Sequence, residues 1–122
     1  MSELQRIIHT DSLGAKITYW TPTVASPTKQ MKLTEQNVVV NLHTITDGTV
    51  ILTLPSVSEA VGKFYYIGIP DVNDPGTSGD CSLYVMETAA ELTTNGDMDA
   101  DGDYLILFSD GINWRTIVDG VA

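Results

Sequence analysis

Basic residues are scarce in this chain: six Lys and Arg stand against sixteen Asp and Glu over 122 residues, for a formal net charge of −10. Phosphate binding needs a cationic surface, so nucleic acid is not expected as a partner. Cysteine is scarcer still. Cys81 stands alone, which rules out an intrachain disulfide framework, and its context Gly79-Asp80-Cys81-Ser82-Leu83 opens a strand-like run in which a buried, inert thiol is expected. Long apolar runs are missing too. The longest, Tyr104–Phe108, has five residues, far short of the ~20 needed to span a bilayer as a helix. The first residues lack the basic start and apolar run of a signal peptide, so a soluble, unexported chain with no membrane partner is expected.

Catalytic signatures are equally thin. His9 and His43 are the only histidines, and neither sits in a metal-binding spacing. Ser109-Asp110-Gly111 is a turn sequence and lacks the G-x-S-x-G elbow of a serine hydrolase. No glycine pattern fits a phosphate loop or dinucleotide fingerprint. Glu59, Glu87 and Glu91 are carboxylates without a pattern that marks them for acid–base work. No enzyme activity and no cofactor are expected.

What the chain does have is β-strand patterning. Two runs rich in β-branched and aromatic residues flank Asp110-Gly111, predicting a hairpin closed by a type I′ turn. Val38, Val40 and Leu42 alternate with Val39, Asn41 and His43, and Val50, Leu52 and Leu54 alternate with Thr49, Ile51 and Thr53, predicting a second hairpin around Asp47-Gly48 with one core face and one half-apolar face. Pro55 ends the later run. Ser56–Val61 then offers a helical turn with a serine cap, stopped by a left-handed Gly62. Phe64–Ile69 and Ser82–Glu87 are further strands, and Asp71–Asp80 and Thr88–Asp103 are polar loops.

Residues 1–33 differ in character, with sparse apolar residues, Pro22 and Pro27, and a local net charge of +2 (Arg6, Lys16, Lys29 and Lys32 against Glu3 and Asp11) beside a body of −12. An extended N-terminal arm is expected there, with short strand candidates at Arg6–His9 and Ala15–Trp20, followed by a domain over 34–122. Removal of the arm through Thr34 is expected to leave the body folded. The fold class is all-β: a small antiparallel sandwich or barrel with an extended arm and one short helical turn. Parallel βαβ architecture is excluded because no helix is long enough to cross over.

Three sets of residues are candidates for binding. Tyr19, Trp20 and Pro22 would anchor the arm on another surface, or the two rings would pack on the arm's own domain. In the second set, Tyr104, Ile106 and Phe108 belong to a run too apolar for a strand with one face in water, so its second cover is the other sheet or a neighbouring subunit; Trp114 is core filler or an interface ring. The third set is Asp97, Asp99 and Asp101, a D-x-D-x-D-G opening like that of a calcium loop. The EF-hand itself is rejected because its twelfth position is Phe108 and no helix flanks it, which leaves a weak non-EF calcium candidate or a solvated acidic turn.

The run Val50-Ile-Leu-Thr-Leu-Pro55-Ser-Val-Ser-Glu-Ala-Val-Gly62-Lys-Phe-Tyr-Tyr-Ile67, with Gly102-Asp-Tyr-Leu-Ile-Leu-Phe-Ser-Asp-Gly-Ile-Asn-Trp114, resembles a β-module of tailed-bacteriophage virion proteins, including head decoration proteins and tail-fibre segments. A T-L-P strand end, an E-A-x-G-K turn and a terminal S-D-G-x-x-W hairpin carry the resemblance, over roughly residues 38–120. It implies a structural role and transfers no active site. The expectation is a capsid decoration (cement) protein on the outer head surface of the virion, a homo-oligomer, as a trimer, with the major capsid protein as partner. The alternatives are a tail-fibre, baseplate or neck component, or a calcium-dependent carbohydrate-binding module.

Overall fold

Side chains that alternate every second residue build two sheets that share one core. The computed structural model describes residues 16–42, 48–70, 81–87, 90–92, 98 and 102–121. Its strands are β1 (Thr18–Trp20), β2 (Thr28–Gln30), β3 (Asn37–Val40), β4 (Gly48–Thr53), β5 (Phe64–Gly68), β6 (Cys81–Glu87), β7 (Ala90–Glu91), β8 (Tyr104–Ser109) and β9 (Trp114–Asp119). One sheet has the order β1-β3-β5-β8-β9 and the other β2-β4-β6-β7. The all-β class is as expected, and neither sheet closes into a barrel.

The sense of pairing departs from the antiparallel expectation. β1 with β3, β3 with β5, β2 with β4 and β4 with β6 are all parallel, while β5 with β8, β6 with β7 and β8 with β9 are antiparallel. The first six strands alternate between the two sheets, so the chain returns to each sheet in the same direction by way of the opposite one. A strand in the facing layer does the work of the crossover helix whose lack had excluded parallel pairing. For the same reason the hairpin expected around Asp47-Gly48 does not form: β3 and β4 lie in different sheets.

Inward positions make one buried cluster from both sheets. Val38, Val40, Tyr65, Ile67, Leu105, Leu107 and Trp114 come from the five-stranded sheet, and Val50, Leu52, Leu83 and Val85 from the other, with Met31, Leu42, Leu54 and Ala60 from their margins. The phase predicted for β3 and β4 therefore holds. Of the segment expected as an arm, residues 1–15, with the strand candidate Arg6–His9, lie outside the described residues. From Thr18 the segment supplies an edge strand to each sheet, and Met31 is buried in the shared core. Pro27 accepts the Ile51 amide, and the Leu33 carbonyl accepts the Tyr65 hydroxyl at 2.9 Å. These contacts make the described half of the segment part of the body.

Edge strand β2 carries an inward lysine. Lys29 shares the inward phase of Leu52, and its ammonium meets Glu35 at 3.1 Å. An inward charge on an edge discourages pairing with a foreign strand. Burial pushes the Glu35 carboxyl up, but the Lys32 amide, then Lys29, then the Lys32 charge outweigh it, and the net shift is downward.

Candidate functional site

The two outer faces differ in chemistry. On the four-stranded sheet the outward positions are Thr28, Gln30, Thr49, Ile51, Thr53, Ser82, Tyr84, Met86 and Glu91 by register, a surface of mainly hydroxyls with one amide and one carboxylate. On the five-stranded sheet they are Tyr19, Asn37, Val39, Phe64, Tyr66, Tyr104, Ile106, Phe108, Arg115 and Val118. Tyr19 is 74 % exposed and Phe64 54 %. Phe64 and Phe108 pack with centroids 4.7 Å apart, and Tyr66 stacks with Tyr104 at 5.9 Å.

Two glycines set the position of the stacked pair. A Cβ on Gly68 would lie 2.5 Å from the Tyr66 hydroxyl, and one on Gly120 would lie 2.1 Å from Cε1 of Tyr104. Both rings therefore lean over bare backbone, a placement that only glycine permits. The result is a row of rings crossing β5 and β8, with Tyr19 and Val39 beyond it on β1 and β3.

Four of the seven residues singled out from sequence, Tyr19, Tyr104, Ile106 and Phe108, meet on this face. The other three turn the other way. Pro22 is buried, Trp20 packs against the core, and Trp114 is 8 % exposed with its ring edge-on to Tyr65 at 5.4 Å. Trp20 and Trp114 follow the inward phase because they pair with Val40 and Ser109. Phe64, Tyr66, Val39 and Val118 were not foreseen as members of the face. The signal for Phe64 and Tyr66 was the run Phe64-Tyr-Tyr-Ile67, apolar in both phases like Tyr104–Phe108. β8 resolves its own ambiguity: Leu105 and Leu107 face the core while Tyr104, Ile106 and Phe108 are half-buried among neighbours on their own sheet.

The acidic triplet Asp97, Asp99 and Asp101, and both histidines, lie outside the described residues. Among those described, no group of three metal-ligating side chains occurs. An open cavity of about 430 Å³ is lined by Gln30, Thr53, Leu54, Ser56 and Glu59. Its amide donor is already committed, because Gln30 Nε2 lies within 3.0–3.3 Å of the carbonyls of Met31, Thr53 and Leu54.

The turn motifs that carry the phage resemblance meet at one point. Ser109, fully buried, donates to the Val57 carbonyl at 2.6 Å and accepts the Gly111 amide at 3.2 Å. Its carbonyl accepts the Gly62 amide, and its amide donates to Lys63. Gly62 and Gly111 have φ of +80° and +92°, and the Val61 side chain lies over Gly111. Ser56–Lys63 forms hydrogen-bonded turns, with Ala60 donating to the Ser56 carbonyl, in place of the expected helical turn with a serine cap, because the Ser56 hydroxyl meets that of Ser58 at 3.0 Å and caps no amide among the described residues. Ser109, Ala60, Gly62 and Gly111 thus have backbone or packing duties. Comparison with protein-family models, curated proteins and solved structures finds no match.

The hairpin corner is wider than the two-residue turn expected, because the Asp110 carboxylate supplies acceptors of its own. Ser109 pairs with Trp114, leaving four residues in the loop. Asp110 Oδ1 accepts the amides of Ile112 and Asn113 at 2.8 and 2.6 Å, and Oδ2 meets Arg115 Nε at 2.9 Å. The Asn113 amide, then that of Ile112, then Arg115 lower the Asp110 pKa from 3.8 to about 2. A carboxyl more acidic in the folded than in the unfolded chain stabilises fully above its unfolded value and ceases to do so as pH falls through its folded value. The melting-temperature gap between the parent and Asp110→Asn is therefore expected to be constant above pH 5 and to close between about pH 4 and pH 2. Thermal melts across that range check it.

Proposed function

We propose that the chain is a structural protein of a tailed-phage particle, a capsid decoration protein that acts by burying surface and performs no catalysis. The observation that carries this reading is the aromatic outer face of the five-stranded sheet. Monomeric proteins rarely leave large apolar rings side by side in water, and such patches mark contact surfaces. The resemblance of the turn motifs to virion β-modules supports the particle context, and their role as a structural lock agrees with a module kept for its rigidity.

On this reading the protein assembles as a homo-oligomer, a trimer in keeping with the resemblance, on the outer face of the head. It reinforces contacts between major capsid subunits by added interface. Aromatic anchors supply most of the binding energy where protein copies meet. Mixing the purified chain with phage heads that lack it, then pelleting the heads, tests the proposal. Saturable co-sedimentation and a raised head-disruption temperature are expected; failure to bind the heads refutes it.

A further inference from the structure

Self-association of a chain with net charge −10 is opposed by Coulomb repulsion unless the contact avoids like charges. The outward positions of the five-stranded sheet include no Asp or Glu. Their one formal charge, Arg115, is ion-paired with Asp110 at the hairpin corner. A strongly basic or acidic partner finds no counter-charge on such a face, whereas another copy of the same acidic chain can approach it without a carboxylate in the way.

The sheet edges are poor alternatives. β1 and β2 have three residues each and β7 has two. Lys29 points inward on β2, and the β8–β9 pairing is interrupted by a bulge between Ile106 and Leu107. Short edges, inward charges and bulges all discourage strand addition. A face-to-face contact remains. Tyr19 and Phe64 supply the exposed rings, and Gly68 and Gly120 hold Tyr66 and Tyr104 down among them.

From this geometry we infer that the aromatic outer face is where copies of the chain meet, so that the capsid contact falls on another part of the surface. The inference rests on the structural reading above and names the partner of that face. Light scattering coupled to size exclusion on the full chain tests it, comparing the parent with Phe64→Glu, Tyr19→Glu and, as a control on the other outer face, Thr49→Glu. Thermal melts establish that each variant is folded.

The parent and Thr49→Glu are expected at the same multiple of the chain mass. Phe64→Glu and Tyr19→Glu are expected to weaken self-association by roughly a hundredfold or more, in line with the loss of a central aromatic anchor. A parent that stays monomeric at high micromolar concentration overturns the inference, as does a folded Phe64→Glu of parental mass. Binding to heads is scored separately. A monomeric parent that binds heads, with binding lost in Phe64→Glu, assigns the face to the shell; that outcome overturns the inference and leaves the decoration reading standing. A Phe64-dependent oligomer that ignores heads does the reverse.

Discussion

A chain that begins at Glu35 is expected to lose its cooperative fold. Such a truncation removes β1 and β2, and with them Met31 from the core and Trp20 and Leu33 from its margin. It also deletes the Leu33 carbonyl that accepts the Tyr65 hydroxyl and the Pro27 carbonyl that accepts the Ile51 amide. Loss of one large buried side chain costs about 2–5 kcal/mol, and here a buried methionine goes together with an edge strand from each sheet. A domain of this size has a total stability of about 5–15 kcal/mol. The near-ultraviolet circular dichroism of the remaining aromatics should collapse, and the thermal transition should broaden or vanish. A sharp transition near the parental temperature would show residues 16–34 to be the dispensable arm that the composition suggests.

Trp114→Ala is expected to destabilise the fold by about 3–5 kcal/mol, the range for removing a large aromatic from a core. The ring is almost fully enclosed and meets Tyr65 edge-on, and Tyr65 in turn donates to Leu33. The substitution therefore loosens both the terminal hairpin and the N-terminal strands. Phe64→Ala, on the outer face of the same sheet, is expected to cost the dissociated chain under about 1 kcal/mol, because the residue is 54 % exposed there. Urea denaturation of the two variants, at concentrations below self-association, separates a core aromatic from a surface one. Comparable losses would remove the distinction on which the face is defined.

The facing of individual strands was legible from period-two alternation, since Val38, Val40, Val50 and Leu52 are all inward as that pattern requires. Sheet membership was not legible. Alternation says which side of a strand is dry but not which strand lies beside it. Asp47-Gly48 between two apolar runs is a sound local hairpin signal, overridden because β4 gains more on the far layer, where it pairs with β2 over three residues and with β6 over six. Prolines and few apolar residues made 1–33 look detached. Only the tertiary partners of Met31, Leu33 and Lys29 reveal the described half as an integral edge.

The candidate face was legible in part for a similar reason. Where both phases of a strand are apolar, as in Phe64-Tyr-Tyr-Ile67 and Tyr104–Phe108, sequence marks the strand as doubly sticky without saying which phase looks outward. The registers Tyr66↔Ile106 and Tyr65↔Leu107 settle the phase of both strands together. Nothing local distinguishes Trp114 from Phe108, since both are aromatic residues in the same hairpin; the pairing of Trp114 with the buried Ser109 decides it.

The passage of the chain between layers at nearly every step has a kinetic consequence. Of the pairings among the described strands, only β6–β7 and β8–β9 join neighbours in sequence, so most ladders must wait for distant segments to find each other. Loop-closure entropy falls due before those ladders can compensate it, which places the folding of such topologies on the millisecond-to-second scale rather than in microseconds. The terminal hairpin is the largest piece able to form early, and the Ser56–Lys63 turn that Ser109 grips is the natural next recruit. Strands β8 and β9 must therefore be synthesised before the strands that precede them can consolidate.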